Sequence, residues 1–159
     1  MKDLKDSMSL GSRSHIHYHK TVDMEINEYH YTAGPLGVKW LEALRQGVLK
    51  AARCSRCGLK FMPPKIYCPQ CFSEVSELVE IVEEGYVSSY TIIYVDDSGR
   101  RLEKPRVIAL IRFPGVFGGL IHEVKADPKD IKSGMRVRPV FRDERRGSIT
   151  DIMYFEKTG

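Results

Sequence analysis

All four cysteines of the chain fall in the stretch CSRCGLKFMPPKIYCPQC, residues 54–71, and no other feature narrows the fold as much. A CxxC turn sets two thiolates on one side of an ion. The ten residues between Cys57 and Cys68 are enough for a short hairpin that brings a second pair opposite the first. Gly58, directly after Cys57, permits the close turn of the first knuckle, and Met62-Pro63-Pro64 makes a stiff connection between the two. Facing CxxC pairs at this spacing predict one tetrahedral site ligated by Cys54, Cys57, Cys68 and Cys71. No His, Asp or Glu lies between Cys54 and Cys71, and four sulfurs leave no open position for water. A single structural Zn2+ per chain is therefore the preferred account. Iron in a rubredoxin-like site and redox-active cysteines are the competing ones. So small a ribbon buries too little apolar surface to fold unaided, and the metal supplies that stability.

Composition limits the alternatives. The formal charge is +4, and a divalent ion on four thiolates lowers it to about +2. Residues 1–77 carry 11 Lys/Arg and 8 Asp/Glu, and residues 78–159 carry 14 and 13. Neither half is the strongly basic body that sequence-independent phosphate binding favours. The longest apolar run, VIALIRF at 107–113, is strand-sized, well under the ~20 residues of a membrane span. The first residues lack the apolar core of a secretory signal, so a cytoplasmic protein without membrane association is expected.

Four segments are expected. Residues 1–34 read as a flexible N-terminal arm in which His15, His17 and His19 alternate, a polar leader rather than a metal site. Residues 35–53 read as a helical segment, its helix beginning after Gly34-Pro35-Leu36-Gly37. A stripe of Val38, Leu41, Leu44, Val48 and Leu49 has Trp40 beside it, and Gly47 is placed to end a first helix before an extended run into Cys54. Residues 54–77 form the metal ribbon. From residue 78 to 159 the chain turns β-rich: YVSSYTIIYV (86–95), RVIALIRF (106–113), GVFGGLIHEV (115–124), MRVRPVF (135–141) and SITDIMYFE (148–156) alternate with polar turns. Five strands without βαβ spacing fit an OB-fold barrel. The expected fold is mainly β: an N-terminal helix, a rubredoxin-like zinc ribbon and a C-terminal five-stranded OB-fold barrel.

The run from Trp40 to Cys71 also resembles a known family of small archaeal and bacterial zinc-ribbon/OB-fold proteins associated with acyl-CoA metabolism. The resembling features are Trp40, Leu44-Arg45-Gln46-Gly47, Cys54 to Gly58, Phe61 to Pro64, and Cys68-Pro69-Gln70-Cys71. Gly85-Tyr86-Val87 followed by Ser89-Tyr90-Thr91 is similar to the start of the family's barrel. Phe72 departs from the pattern, standing where many ribbons have glycine. The resemblance implies a non-catalytic accessory protein that binds acyl-CoA, or completes the acyl-CoA site of a partner enzyme of the thiolase or hydroxymethylglutaryl-CoA synthase type.

The residues proposed to hold such a ligand are Arg100, Arg101, Arg106, Arg136 and Arg138, which suit phosphate oxygens, with Tyr90 available to stack on a base. Lys104, Arg142, Arg145 and Arg146 belong to the same basic flanks, whose plainer account is a solvated face balanced by Asp96, Asp97, Asp143 and Glu144. Tyr86, Tyr90 and Tyr94 are expected on one face of the first barrel strand, where filling the barrel or docking a partner is the plainer account. His122 and Glu123 are neighbours on a strand and should face opposite ways, which makes them a poor acid/base pair. Phe113 to Gly119 is apolar and suits a lid or docking loop. No Ser–His–Asp order, P-loop or dinucleotide fingerprint appears, so independent catalysis is not expected. The alternative function is a nucleic-acid-binding ribbon/OB module.

Overall fold

A computed structural model describes residues 32–159; the arm histidines His15, His17 and His19 lie outside them. Helix α1 (Gly34–Arg45) starts four residues earlier than the apolar pattern implied, because Pro35 sits in its first turn, where no amide partner is required. It ends in a Schellman motif. Gly47, at φ +77°, donates its N–H to the Leu44 carbonyl at 2.9 Å, and the Val48 N–H donates to Ala43 at 2.9 Å. The buried face is Leu36, Trp40, Ala43 and Leu44, spaced i, i+4, i+7, i+8. The expected stripe is corrected on that point: Val38 is 59% exposed, and Val48 and Leu49 follow the helix rather than belonging to it.

Two sheets follow. The first holds β1 (Lys50–Arg53), β2 (Lys60–Met62), β3 (Glu77–Glu80) and β6 (Val116–Gly118) in the order β3-β1-β2-β6. β1 pairs antiparallel with β2 and β3, whereas β2 pairs in parallel with β6. The second is a closed barrel of β4 (Gly85–Val95), β5 (Arg101–Arg112), β7 (Leu120–Lys125), β9 (Ile152–Lys157) and β8 (Arg136–Phe141), taken in that order. β7 and β9 are parallel, and β8 returns to β4 through Gly85 opposite Val137. This is the five-stranded OB-fold. Closure leaves its strands no open edge.

The core explains why ribbon and barrel hold together. Adjacent residues of a strand face opposite ways, so Ala51 joins a cluster with Trp40, Leu44, Met62, Val87, Ile111, Phe113 and Phe155, while Ala52 joins Leu36, Cys54, Phe61, Cys68 and Val75 beneath the knuckles. β1 is thus buried on both faces. The segment expected as a lid has another task. Phe113 is buried in the barrel core, and Val116 to Gly118 lie beside Lys60 to Met62 as β6, so this stretch ties ribbon to barrel. Gly118, at φ +86°, allows the approach: a Cβ there would collide with the Met62 carbonyl oxygen. The Gly119 N–H donates to that same oxygen at 3.1 Å.

A second tie joins the last hairpin to α1. The buried Asp151 carboxylate accepts the N–H groups of Arg146 (3.0 Å), Gly147 (2.7 Å) and Ser148 (3.1 Å), fixing the loop that carries Arg145. The Arg145 guanidinium donates to the Arg45 carbonyl at 2.9 Å, satisfying an end-of-helix acceptor.

Candidate functional site

The knuckles are built alike. The Cys54 N–H donates to the Leu59 carbonyl at 2.9 Å, and the Gly58 N–H donates to Cys54 at 2.9 Å. In the second knuckle the Cys68 N–H donates to Ser73 at 2.9 Å, and the Phe72 N–H donates to Cys68 at 3.0 Å. These turns bring all four Sγ atoms within 4.8 Å of one another. Cys54 Sγ lies 3.5 Å from Cys71 Sγ, and Cys57 Sγ lies 3.6 Å from Cys68 Sγ. A tetrahedron with metal–sulfur bonds near 2.3 Å has edges of about 3.8 Å, so the four sulfurs fit one ion. Cys54 and Cys68 are fully buried, Cys71 is half-buried and Cys57 is exposed.

Without an ion the thiols would titrate unequally. The Ser73 hydroxyl, helped by backbone donors, lowers Cys54 to about 6, and it also lowers Cys71. The Leu59 amide pulls Cys57 down, but desolvation and the three neighbouring sulfurs push it up to about 12. A cation at the centre removes the conflict by replacing the protons. With four sulfurs in the shell, the site is a structural metal site and offers no position for substrate.

The barrel residues proposed from sequence do not converge. Arg100 pairs with Asp96 at 2.9 Å, Arg106 with Glu123 at 2.6 Å, Arg136 with Glu84 at 3.5 Å and Arg138 with Glu156 at 2.8 Å. Arg136 stands opposite Tyr86 at one end of β4, and Arg101 stands opposite Val95 at the other. Nine residues of strand separate those ends by about 30 Å, too far for one pyrophosphate to bridge.

The tyrosines separate too. A bulge between Val87 and Ser89 shifts the alternation by one residue. Tyr86 stands opposite the exposed Arg112 while Tyr90 stands opposite the buried Ala109, so the two do not share the face expected of them. His122 and Glu123 face opposite ways as expected. His122 sets its ring edge-on to Phe155 at 5.7 Å, and Glu123 reaches out to Arg106.

Two adjoining depressions on the barrel escaped sequence reading. One, of about 750 Å³, is lined by Arg142, Arg146, Ser148, Thr150 and Met153 among others. The other, of about 350 Å³, shares Arg142, Thr150 and Met153 and adds Arg106, Ile108 and Ile121. Of the six residues proposed to bind ligand, Arg106 alone lines either one. Its signal was weak, because Arg142, Ile121 and Met153 come from three separate elements.

Comparison with known proteins places this architecture. Residues 41–77 match the family model described as the rubredoxin-like zinc ribbon domain of ChsH2, and residues 78–142 match that of its C-terminal OB-fold domain. A crystal structure of a DUF35-family protein of unknown function from Sulfolobus solfataricus is 33% identical with a TM-score of 0.61, covering 87% of this chain and 92% of that one. The chain belongs to the DUF35 family. Within that family it is similar to a DUF35 domain-containing scaffold protein of Methanocaldococcus jannaschii, 28% identical over 104 residues, or 65% of this chain and 74% of that protein. It is also similar to the benzoylsuccinyl-CoA thiolase subunit BbsA of Geobacter metallireducens, 30% identical over 95 residues, which are 58% of this chain and 63% of that one. The Phe61-Met62-Pro63-Pro64 and Cys68-Pro69-Gln70-Cys71 segments that carried the family resemblance lie inside the matched ribbon.

Proposed function

We propose that this DUF35 protein is a non-catalytic accessory subunit of a thiolase-type enzyme, with one structural Zn2+ in its ribbon and an acyl-CoA-facing surface on its barrel. The observation that carries the reading is the pairing of a closed four-thiolate site with relatives named as a scaffold protein and as a thiolase subunit. Zinc is favoured over iron by the ribbon family the chain matches. The ribbon, residues 54–77, together with α1 supplies a rigid docking body, and the barrel, residues 78–159, meets the ligand.

On that surface Arg142 and Arg146 are the better candidates for the anionic part of acyl-CoA, since the Arg106 guanidinium is already held by Glu123 at 2.6 Å. They border depressions whose other walls include Ile108, Ile121 and Met153 for an apolar chain, with Asp143 and Glu144 beside the two arginines, so the phosphates would meet the guanidinium side of the first depression. Arg100, Arg101, Arg136 and Arg138, with Tyr90, stay as outlying contacts to a partner or ligand. The nucleic-acid alternative is weakened by the carboxylates set against four of these arginines.

The test is to isolate the tagged protein from its native cells after nuclease treatment, with and without added acyl-CoA, and identify what accompanies it by mass spectrometry. A thiolase or hydroxymethylglutaryl-CoA synthase in fixed ratio supports the proposal. Ribosomal or transcription proteins that disappear with nuclease would overturn it.

A further inference from the structure

The two knuckles share their backbone hydrogen bonds, so their positions correspond: Cys54 with Cys68, Cys57 with Cys71, Gly58 with Phe72, and Leu59 with Ser73. At the last of these the first knuckle has an apolar side chain and the second a hydroxyl. The Ser73 Oγ lies 3.1 Å from Cys54 Sγ and 3.1 Å from Cys71 Sγ, one sulfur from each knuckle. Four thiolates around a divalent ion carry a net charge of −2, so a hydroxyl facing two of them acts as donor, its single proton shared between the two sulfurs. Among the described residues no side chain other than a thiol stands within hydrogen-bond distance of Cys57 or Cys68. The Gln70 N–H approaches Cys68 Sγ at 3.5 Å, and Cys57 is the exposed member of the four.

We propose that Ser73 is a positioning residue of the metal centre, whose hydroxyl holds and shields the Cys54 and Cys71 sulfurs and leaves Cys57 as the sulfur at which the shell opens. The inference rests on the metal reading of the four cysteines. A donor to sulfur draws electron density from it, which lowers its reactivity and strengthens its fixed orientation. Cys57 combines exposure with the absence of a hydroxyl donor, its one donor outside the four thiols being the Leu59 amide. An electrophile such as a maleimide therefore reacts there first: the sulfur adds across the carbon–carbon double bond, the metal–sulfur bond breaks, and water supplies the proton to the neighbouring carbon.

Two measurements on the full-length protein test this. In the first, the wild-type zinc-loaded protein is treated with substoichiometric N-ethylmaleimide and the modified cysteine is mapped by peptide mass spectrometry. Cys57 is expected first; Cys54 or Cys71 first would overturn the proposal without any variant having to fold. In the second, Ser73→Ala and Ser73→Thr are loaded with Co2+. Ser73→Ala should move the sulfur-to-cobalt charge-transfer band to lower energy, speed metal transfer to a chelator about 10-fold, and extend maleimide labelling to Cys71. Ser73→Thr, which keeps the hydroxyl, should restore all three. A Ser73→Ala protein with wild-type spectrum, transfer rate and labelling order refutes the proposal. Failure of wild-type protein to bind one ion per chain would instead refute the metal reading beneath it.

Discussion

Asp151→Asn is a sharp test of how the barrel holds the helix. The wild-type carboxylate is 2% exposed and accepts three backbone N–H groups, two of them on one oxygen. Burial by itself would raise its pKa; donation from Arg146, Ser148 and Gly147, with the charge of Arg145 nearby, holds it below the usual carboxylate range. An asparagine offers one acceptor oxygen and turns an NH2 toward the remaining donor or donors. At least one part-buried N–H is orphaned, at about 1–3 kcal/mol, and the bonds that survive lose their charge assistance.

A loss of about 3 kcal/mol at pH 7 is expected from urea unfolding. The loop carrying Arg145 should come away from the Arg45 carbonyl with it. The pH dependence has a definite sign. Because the folded-state pKa is depressed, the wild-type stabilisation is fully present above the unfolded Asp value near ~3.9 and is lost as pH falls from there through the folded value. The gap between wild type and Asp151→Asn should therefore narrow below about pH 4. A difference under ~1 kcal/mol at pH 7, or a gap that stays constant into acid, would refute this reading of the carboxylate.

Three further outcomes follow from the same geometry. Gly118→Ala forces a Cβ into the Met62 carbonyl at a positive φ and disrupts the β2–β6 pairing, so guanidinium unfolding should report a loss of about 3 kcal/mol, and a loss below ~1 would contradict the stitched interface. Cys68→Ser, or removal of the ion by a strong chelator, should abolish stoichiometric metal binding and expose residues 54–77 to limited proteolysis; a metal-replete, protease-resistant variant would deny the structural role. Trp40→Phe removes the indole donor that meets the Lys50 carbonyl at 2.8 Å, with an expected loss of about 1–3 kcal/mol in thermal or urea unfolding, and no loss would mean the bond is dispensable.

What the sequence revealed follows the range of each signal. The ribbon was legible because four thiolates and a hairpin length specify their own geometry. The barrel strands were legible because β-branched and aromatic runs between turns are local patterns. The pairing of β2 with β6 was not, since Lys60 meets Val116 across more than fifty residues and nothing in Val116-Phe117-Gly118 announces a parallel partner. The tyrosine face failed for a smaller reason: one bulged residue near Ser89 reverses the alternation for the strand beyond it. The helix face slipped because the inner stripe runs through Leu36, Trp40, Ala43 and Leu44, a set that includes a residue read as preceding the helix and leaves Val38 on the outer side. The arginines looked available because their partners Glu84, Glu123 and Glu156 are distant in sequence, or on a neighbouring strand, and only the fold brings them within reach.

The measurement that most directly tests the central proposal is the acyl-CoA turnover of a thiolase-type enzyme that co-purifies with this protein, assayed with and without it, beside this protein alone. An accessory subunit that completes an acyl-CoA site predicts no turnover by the isolated chain, and a clear rise in the enzyme's rate or a fall in its KM for acyl-CoA when the two are combined. Turnover by the isolated chain, or an enzyme whose rate and KM are indifferent to its presence, would contradict it.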